Sequence, residues 1–174
     1  GLAPAYIRPA EGREHEWYLG QGFRRGQTVK IQGEYHFEVP QALVWELLLD
    51  PEALKRSMSG VEHFEETASD VYAFTTRIGL ASVRGTYEGN VHVSEKVPPD
   101  SYRIRIDGKG KAGGATADAL IELSESAGHT SVRYGADVRA QGTIARLGGR
   151  LLGGVARLLI GKFFKAIQII HLKI

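Results

Sequence analysis

The sequence has 174 residues, a length that fits one domain with a single hydrophobic core. Hydrophobic residues make up 43% and charged residues 24% of the chain, which excludes a fibrous repeat and wholesale disorder. The absence of cysteine excludes disulfide scaffolds and thiol nucleophiles, and a net charge of +2 is too small to indicate nucleic-acid binding.

The first 27 residues differ from the rest of the chain because they show no sustained hydrophobic period. They contain Pro4 and Pro9 and end in a stretch punctuated by glycine. We therefore expect residues 1–27 to form a partly ordered N-terminal extension. Regular patterning begins at Thr28, and we place a single folded domain at 28–174.

The start of this domain predicts one strand followed by two short helices. Apolar and polar residues alternate from Val29 to Phe37, which is the period of a half-buried strand. Residues 42–49 then have the composition of a short helix. Asp50 followed by proline predicts an N-cap and a second short helix that ends near residue 58.

The middle of the domain predicts a run of strands. They are expected over 61–67, 71–78, 83–96, 102–107, 115–123 and 130–140. Short turns separate these segments and no helix intervenes, so we expect antiparallel strands in a meander.

The chain closes with a long helix predicted over 143–172. At about 100° per residue, one broad arc of this helix is apolar and is expected to face the sheet. The arc consists of Ile144, Leu147, Leu151, Val155, Leu158 and Leu159. Beyond Gly161 the phase changes, which predicts either a bend or an apolar face that contacts something other than the core.

The order of elements predicts an α+β fold in which a curved antiparallel sheet wraps on the long C-terminal helix. Many inward strand positions carry glycine or alanine, which favours a cavity between sheet and helix, although small residues also suit tight packing. These positions are Gly85, Gly89, Ala115, Ala117, Ala119, Ala136 and Ala140.

Inward aromatic residues are the strongest candidates for lining such a cavity, because tyrosine combines an apolar ring with one hydroxyl. The candidates on the sheet are Tyr72, Phe74, Tyr87, Tyr102 and Tyr134. Those on the helix are Leu147, Leu151, Val155 and Leu158. The alternative is that these side chains fill an ordinary core.

No catalytic or metal-binding pattern emerges from the sequence. The histidines lack the spacing of a zinc motif, and the serines lack the setting of a nucleophile elbow. The strand carboxylates, such as Asp118 and Asp137, are expected to point outward into solvent, and only Glu95 is placed where it could turn inward. We therefore predict no catalytic residue, metal or cofactor.

The end of the helix combines cations with aromatic rings, which suits an anionic membrane surface or an acidic partner. This predicted contact set consists of Arg157, Lys162, Phe163, Phe164 and Lys165. The alternative is a solvated basic face. The three cations of this set interrupt the apolar stretch 151–170, so a transmembrane helix is not expected.

Several motifs together resemble the carbon monoxide dehydrogenase G-subunit family, within the START and birch-pollen-allergen (SRPBCC) superfamily. The matching stretches are IQGEY at 31–35, LDP at 49–51, VRGTYEG at 83–89, GKG at 108–110 and RLLGGVAR at 150–157 with Phe163 and Phe164. The resemblance extends from Thr28 to about Ile170 and implies the helix-grip fold.

The resemblance also implies a function. Relatives hold lipid-like or quinone-like ligands and act as non-catalytic accessories that recruit a molybdenum hydroxylase to the membrane. A cytoplasmic protein at the inner face of the membrane would follow. Other members of the superfamily are enzymes, so a cyclase-like or hydrolase-like activity in the same cavity and an interaction domain with a filled core stay open as alternatives.

Overall fold

The computed structural model describes residues 28–172, with side chains through Ile170. The extension predicted at 1–27 lies outside the described residues. The strands are β1 Thr28–Phe37, β2 Val61–Ala68, β3 Val71–Ile78, β4 Gly85–Val97, β5 Ser101–Gly110, β6 Gly113–Ser126 and β7 His129–Gln141. The helices are α1 Gln41–Leu49, α2 Pro51–Ser57 and α3 Gly148–Leu172, with 3₁₀ turns at Ala81–Val83 and Gly142–Leu147.

All strands belong to one antiparallel sheet in the order β1-β7-β6-β5-β4-β3-β2. The strands from β2 to β7 follow one another as hairpins, as the predicted meander requires. The first strand pairs with the last, in a register that runs from Thr28 opposite Arg139 to Phe37 opposite Thr130. The two short helices leave this strand and lead to the far edge of the sheet.

Helices α1 and α2 begin as the sequence predicts. The side chain of Asp50 accepts a hydrogen bond from the backbone N–H of Ala53 at 3.0 Å, and Pro51 occupies the first helical position. Their apolar side chains enter the main core, where Val44 and Leu48 are almost fully buried. The two helices thereby close one end of the concave side of the sheet.

The core is divided into two clusters of buried residues. The main cluster joins the concave face of the sheet to α1, α2 and the C-terminal half of α3, where Ile167 is fully buried. A second, smaller cluster lies at the other end of the sheet and involves both 3₁₀ turns. Its buried members are Val83, Tyr87, Ala140 and Ile144.

The predicted boundaries are wrong where these 3₁₀ turns occur. Val83 lies in a 3₁₀ turn, and strand β4 begins two residues later. Helix α3 begins at Gly148 instead of residue 143, because Gly142 and Gly148 have φ values of +71° and +82° that interrupt the helical path. Ile144 and Leu147 therefore belong to the turn before the helix.

The predicted inward arc is wrong at Leu151 and Leu158, because α3 approaches β1 through a face that contains Gly149 and Gly153. A Cβ atom added at Gly153 would lie 3.3 Å from a methyl carbon of Val29, so the helix backbone packs closely on β1. The same face continues to Phe164, which is 4% exposed, whereas Leu151 and Leu158 are 52% and 46% exposed. Glycine contributes nothing to a hydrophobic pattern, so the pattern misplaced the contact face.

Strand β2 forms one edge of the sheet. Its pairing with β3 is interrupted by register shifts between Val61 and His63 and between Glu66 and Ala68. Most of its side chains are exposed, and only Phe64 is buried. The edge is therefore irregular and polar.

A candidate ligand cleft on the concave face

The concave face of the sheet is apolar over the five strands β1 and β4–β7. Alternation places tyrosine, branched aliphatic residues, alanine and glycine on this face, and places lysine, arginine and most carboxylates on the convex face. Small residues concentrate on β6, where Ala115, Ala117 and Ala119 occupy successive concave positions. This composition suits a mostly apolar ligand.

The five predicted aromatic residues all lie on the concave side and are all buried. Their exposed fractions lie between 4% and 7% for Tyr72, Phe74, Tyr87, Tyr102 and Tyr134. Their inward orientation is thus as predicted. Contact with a ligand remains a prediction for each of them.

Ring contacts and hydrogen bonds fix these aromatic side chains in place. The Tyr87 hydroxyl donates to the backbone oxygen of Val83 at 2.5 Å. Tyr102 meets Trp45 edge-on with 5.5 Å between ring centroids. Tyr134 stacks on Phe164 at 6.1 Å. Tyr87, Tyr102 and Tyr134 are therefore each packed against a neighbouring group.

Burial keeps the tyrosine hydroxyls protonated. Desolvation raises the pKa of the Tyr102 hydroxyl far above its ordinary value, and it also raises the pKa of Tyr87. For Tyr72, desolvation is the main cause of the raised pKa, and the nearby carboxylate of Glu66 adds to it. These groups offer hydrogen bonds rather than charge to a bound molecule.

One part of the concave face stays accessible. Ile106 lies opposite Val91 on β4 and Ala117 on β6, yet its side chain is 37% exposed. Neither Ile106 nor the neighbouring Ala115 and Ala117 belongs to either core cluster. We refer to the surface of these three residues as the cleft.

The predicted helix residues are divided between the interior and the surface. Leu147 and Val155 are partly buried and pack against the second cluster. Leu151 and Leu158 are exposed, so they do not join the concave surface. Leu159, which belongs to the same predicted arc, is half-buried.

The predicted membrane or partner set is also divided. Arg157, Lys162 and Lys165 are exposed on α3, as a contact surface requires. Phe163 is half-buried against the main core, and Phe164 is buried between Tyr35 and Tyr134. Phe164 is therefore a core residue, because it continues the glycine-lined face of the helix.

Sequence analysis missed Ile104 and Ile106 as candidate site residues. Both are concave and incompletely buried. The signal was present, because they alternate with Arg103 and Arg105 in phase with Tyr102.

The strand carboxylates point outward as predicted, but the side chains of two of them are mostly buried. Asp118 and Asp137 are directly opposite each other on β6 and β7. The Arg139 guanidinium donates to Asp118 at 2.7 Å, and the ammonium group of Lys30 lies 3.3 Å from Asp137. Desolvation lowers the pKa of Arg139, which is 1% exposed, while the bond to Asp118 opposes that shift.

Glu95 does not turn toward the cleft. Its carboxylate is 61% exposed and lies 3.2 Å from the guanidinium of Arg103 on the convex side.

Within residues 28–170, no group of three histidine or carboxylate side chains is close enough to hold a metal ion. No helix among the described residues is long and apolar enough to span a membrane.

An open groove of about 630 Å³ lies on the convex face, where the paired glycines Gly89 and Gly108 let β4 and β5 approach closely. A Cβ atom at Gly89 would collide with the carbonyl oxygen of Asp107. The groove is lined largely by polar side chains, including His63, Thr75, Glu88, Asn90, Asp107 and Lys109. Ala73, Gly89, Gly110 and the concave Phe74 also line the groove, so at these glycines it reaches a side chain of the concave face.

Solved structures with the same architecture define the class of the protein. A START superfamily protein from Mycobacterium smegmatis matches with a TM-score of 0.64 at 10% identity, over 80% of this chain and 94% of that one. The structure of Ara h 8.0201 matches with a TM-score of 0.64 at 15% identity, over 84% and 99%. The chain therefore has the START-like helix-grip fold.

The particular family follows from a match over most of the domain. Residues 33–169 match the family model for the carbon monoxide dehydrogenase G-subunit (CoxG), and the chain belongs to this family. A conserved protein from Geobacillus kaustophilus is 32% identical, with a TM-score of 0.81 over 83% of this chain and 96% of that one. A search of curated proteins finds no significant match.

Proposed function

We propose that this protein binds a hydrophobic molecule, lipid-like or quinone-like, in the cleft between the sheet and α3. The observation that carries the proposal is the exposure of Ile106 on a face that is otherwise apolar and buried. Each 100 Å² of apolar ligand surface removed from water there would contribute about 2.5 kcal/mol to binding. The hydroxyl of Tyr72, Tyr102 or Tyr134 would orient a polar group of the ligand, since that of Tyr87 already donates to the backbone oxygen of Val83.

We further propose that the protein acts as a non-catalytic accessory to a molybdenum hydroxylase. Membership of a family described as a subunit of carbon monoxide dehydrogenase supports this role. A cytoplasmic location with peripheral contact at the inner membrane face would suit it. The exposed cations Arg157, Lys162 and Lys165 would supply the contact, with the half-buried Phe163 beside them.

A cyclase-like enzyme on the same fold is the competing function. The di-domain ARO/CYC StfQ, from a steffimycin biosynthetic pathway, matches with a TM-score of 0.62 at 10% identity, over 87% of this chain and 52% of that one. Acid–base catalysis would require an ionisable group at the cleft. The described positions around Ile106 on β4, β5 and β6 hold valine, alanine, glycine and isoleucine, which favours the binding role.

Native mass spectrometry of the purified protein tests the binding role. We expect a co-purifying isoprenoid quinone or acyl species near one per chain, or a mass shift when menaquinone is added. Ile106→Glu should abolish the bound mass, because it places a charge in an apolar site. Val97→Glu is a matched control, since Val97 is 55% exposed and lies outside the cleft.

Two results would contradict the proposal. The first is a ligand-free mass that stays unshifted after menaquinone or a fatty acid is added. The second is equal retention of ligand by the Ile106→Glu and Val97→Glu variants, which would place the ligand elsewhere.

A further inference from the structure

Charged side chains on the convex face of the sheet are buried to a degree that one sheet alone does not explain. Arg139 is 1% exposed and Asp137 is 8% exposed. The ion pair between Arg139 and Asp118 offsets the cost of burial, but an ion pair on an open face still contacts water. Neighbouring strands shield a side chain from two sides and not from above. The burial therefore requires a cover on the convex side.

The burial is centred on strands β5–β7 and decreases toward both sides. One row across the sheet runs from Gln32 on β1 to Ser94 on β4, and both of these end residues are exposed. Between them, Gly135 is buried, Leu120 is half-buried, and the side chain of Arg103 is 12% exposed. We refer to the convex surface of β5–β7 as the covered strip, formed by Arg103, Leu120, Gly135, Asp137 and Arg139.

No helix or connection within residues 28–170 supplies the cover. Helices α1, α2 and α3 contribute to the main core on the concave side, and both 3₁₀ turns pack in the second cluster with the concave Tyr87. The turns 98–100, 111–112 and 127–128 are too short to cross the face. Residues 171–174 follow Ile170, which belongs to the main core. The structure is a single chain, so residues 1–27 are the remaining source of a cover.

The segment 1–27 joins the sheet beside the covered strip. Thr28 is directly opposite Arg139, and its side-chain oxygen is buried. Leu120 lies two strands and four residues away from Thr28, which is about 16 Å at ordinary strand spacings. Ten residues of extended chain span up to about 33 Å, so a stretch near residue 17 reaches Leu120 with length left for a turn. The glycines at 20, 22 and 26 suit such a reversal of direction.

The composition of the segment matches the surface that it would cover. Residues 14–19 read Glu-His-Glu-Trp-Tyr-Leu, which combines two carboxylates with three large apolar side chains. A glycine in the middle of a strand leaves room above it for a ring, and Gly135 lies beside the apolar Leu120. The guanidinium of Arg103 on the adjacent strand is a partner for a carboxylate of this stretch.

We propose that residues 1–27 fold back over the convex face and dock on the covered strip, with residues 14–19 over Leu120 and Gly135. The segment would form a second layer on the sheet, opposite the layer that α3 forms on the concave side. It would exclude water from the ion pair between Arg139 and Asp118, which strengthens the attraction between their charges. This inference does not depend on the proposed binding role.

The fluorescence of Trp17 tests the docking in the full chain. Trp45 is the other tryptophan, so Trp45→Phe leaves Trp17 as the single reporter. We expect acrylamide to quench Trp17 at least about threefold less in the folded protein than in urea, because a packed indole is shielded from the quencher. Leu120→Glu should restore strong quenching. Thr86→Glu adds the same charge at an exposed convex position outside the covered strip and should not.

Two spin-label pairs locate the segment without changing the covered strip. The chain has no cysteine, so Arg13→Cys can be labelled together with one further introduced cysteine. That cysteine is Ser94→Cys on the convex face or, as the matched control, Leu158→Cys on the exposed side of α3. We expect narrow distance distributions for both pairs and a shorter distance to Ser94, because the sheet lies between the segment and α3.

Four results would overturn the inference. Quenching of Trp17 as strong as in urea, or a broad distribution of distances between positions 13 and 94, would show that the segment does not dock. Equal loss of protection in Leu120→Glu and Thr86→Glu would show that it does not dock on the covered strip. A shorter distance to position 158 would place it against α3. Loss of the short distance to position 94 on mixing with unlabelled protein would assign the cover to a second copy of the chain.

Discussion

At the scale of single residues, the adjacent glycines Gly153 and Gly154 have opposite structural roles. Gly153 is buried against Val29, and an added Cβ atom would lie 3.3 Å from a valine methyl carbon. Gly154 is exposed, and an added Cβ atom would meet nothing within 4 Å. Both have the same low helix propensity, so only the packing of the helix distinguishes them.

This difference predicts opposite responses to alanine. Gly154→Ala should raise the free energy of unfolding by about 0.5–1 kcal/mol, because alanine restricts the unfolded chain and favours the helix. Gly153→Ala should lose most or all of that gain, because its methyl group presses α3 away from β1. Urea denaturation of both variants measures the two changes, and equal stabilisation would show that the helix does not pack closely at Gly153.

At the scale of elements, the sequence predicts all seven strands and the three helices, because alternation and capping are local signals. The errors concern the elements whose limits depend on tertiary packing. The turn over Gly142–Leu147 continues the apolar pattern of the helix, so the pattern cannot reveal the break at Gly148. The contact face of α3 is hidden for a related reason, since its first residues against the sheet are glycines.

The corrected face of α3 predicts an unequal cost for two truncations. Phe164→Ala should destabilise the fold by about 3–5 kcal/mol, because it leaves a cavity between Tyr35 and Tyr134. Leu158→Ala should cost less than about 0.5 kcal/mol, because Leu158 is 46% exposed. Thermal unfolding of the two variants compares their losses of stability. A larger loss for Leu158→Ala would show that Leu158 packs on the sheet, as the arc predicted from the sequence requires.

At the scale of the whole molecule, the core consists of a large cluster, a small cluster and the cleft that belongs to neither. The sequence indicates an apolar concave face but cannot locate the opening, because the opening depends on how far α3 lies from β5 and β6. Alanine and glycine suit close packing as well as a void. The exposure of Ile106 in the folded chain supports an opening at this point, and ligand binding there stays a proposal.

The small cluster predicts local opening at the end of the sheet where α3 begins. Four buried residues, with partly buried side chains packed on them, hold the 3₁₀ turns Ala81–Val83 and Gly142–Leu147 together, and this cluster is much smaller than the main one. We expect amide hydrogens of these turns to exchange at least about tenfold faster than those in the centres of β6 and β7, because less apolar surface protects them. Hydrogen exchange with mass spectrometry measures this.

A destabilising variant tests whether the small cluster opens independently of the main cluster. Ile144→Ala should accelerate exchange in both turns and leave the centres of β6 and β7 nearly unchanged. Uniform acceleration across the domain would instead show that the two clusters unfold as one unit.

The irregular strand β2 has a consequence for how the molecule behaves among its own copies. An edge strand exposes unpaired backbone groups to which a second chain can add a further strand. In β2 the two register shifts disturb the regular spacing of these unpaired backbone groups. The exposed carboxylates of Glu62, Glu65 and Glu66 would also lie close to the same carboxylates of a second copy of the chain and repel them. The β2 edge is thereby a poor template for pairing with a second chain, so aggregation through this side of the sheet is disfavoured.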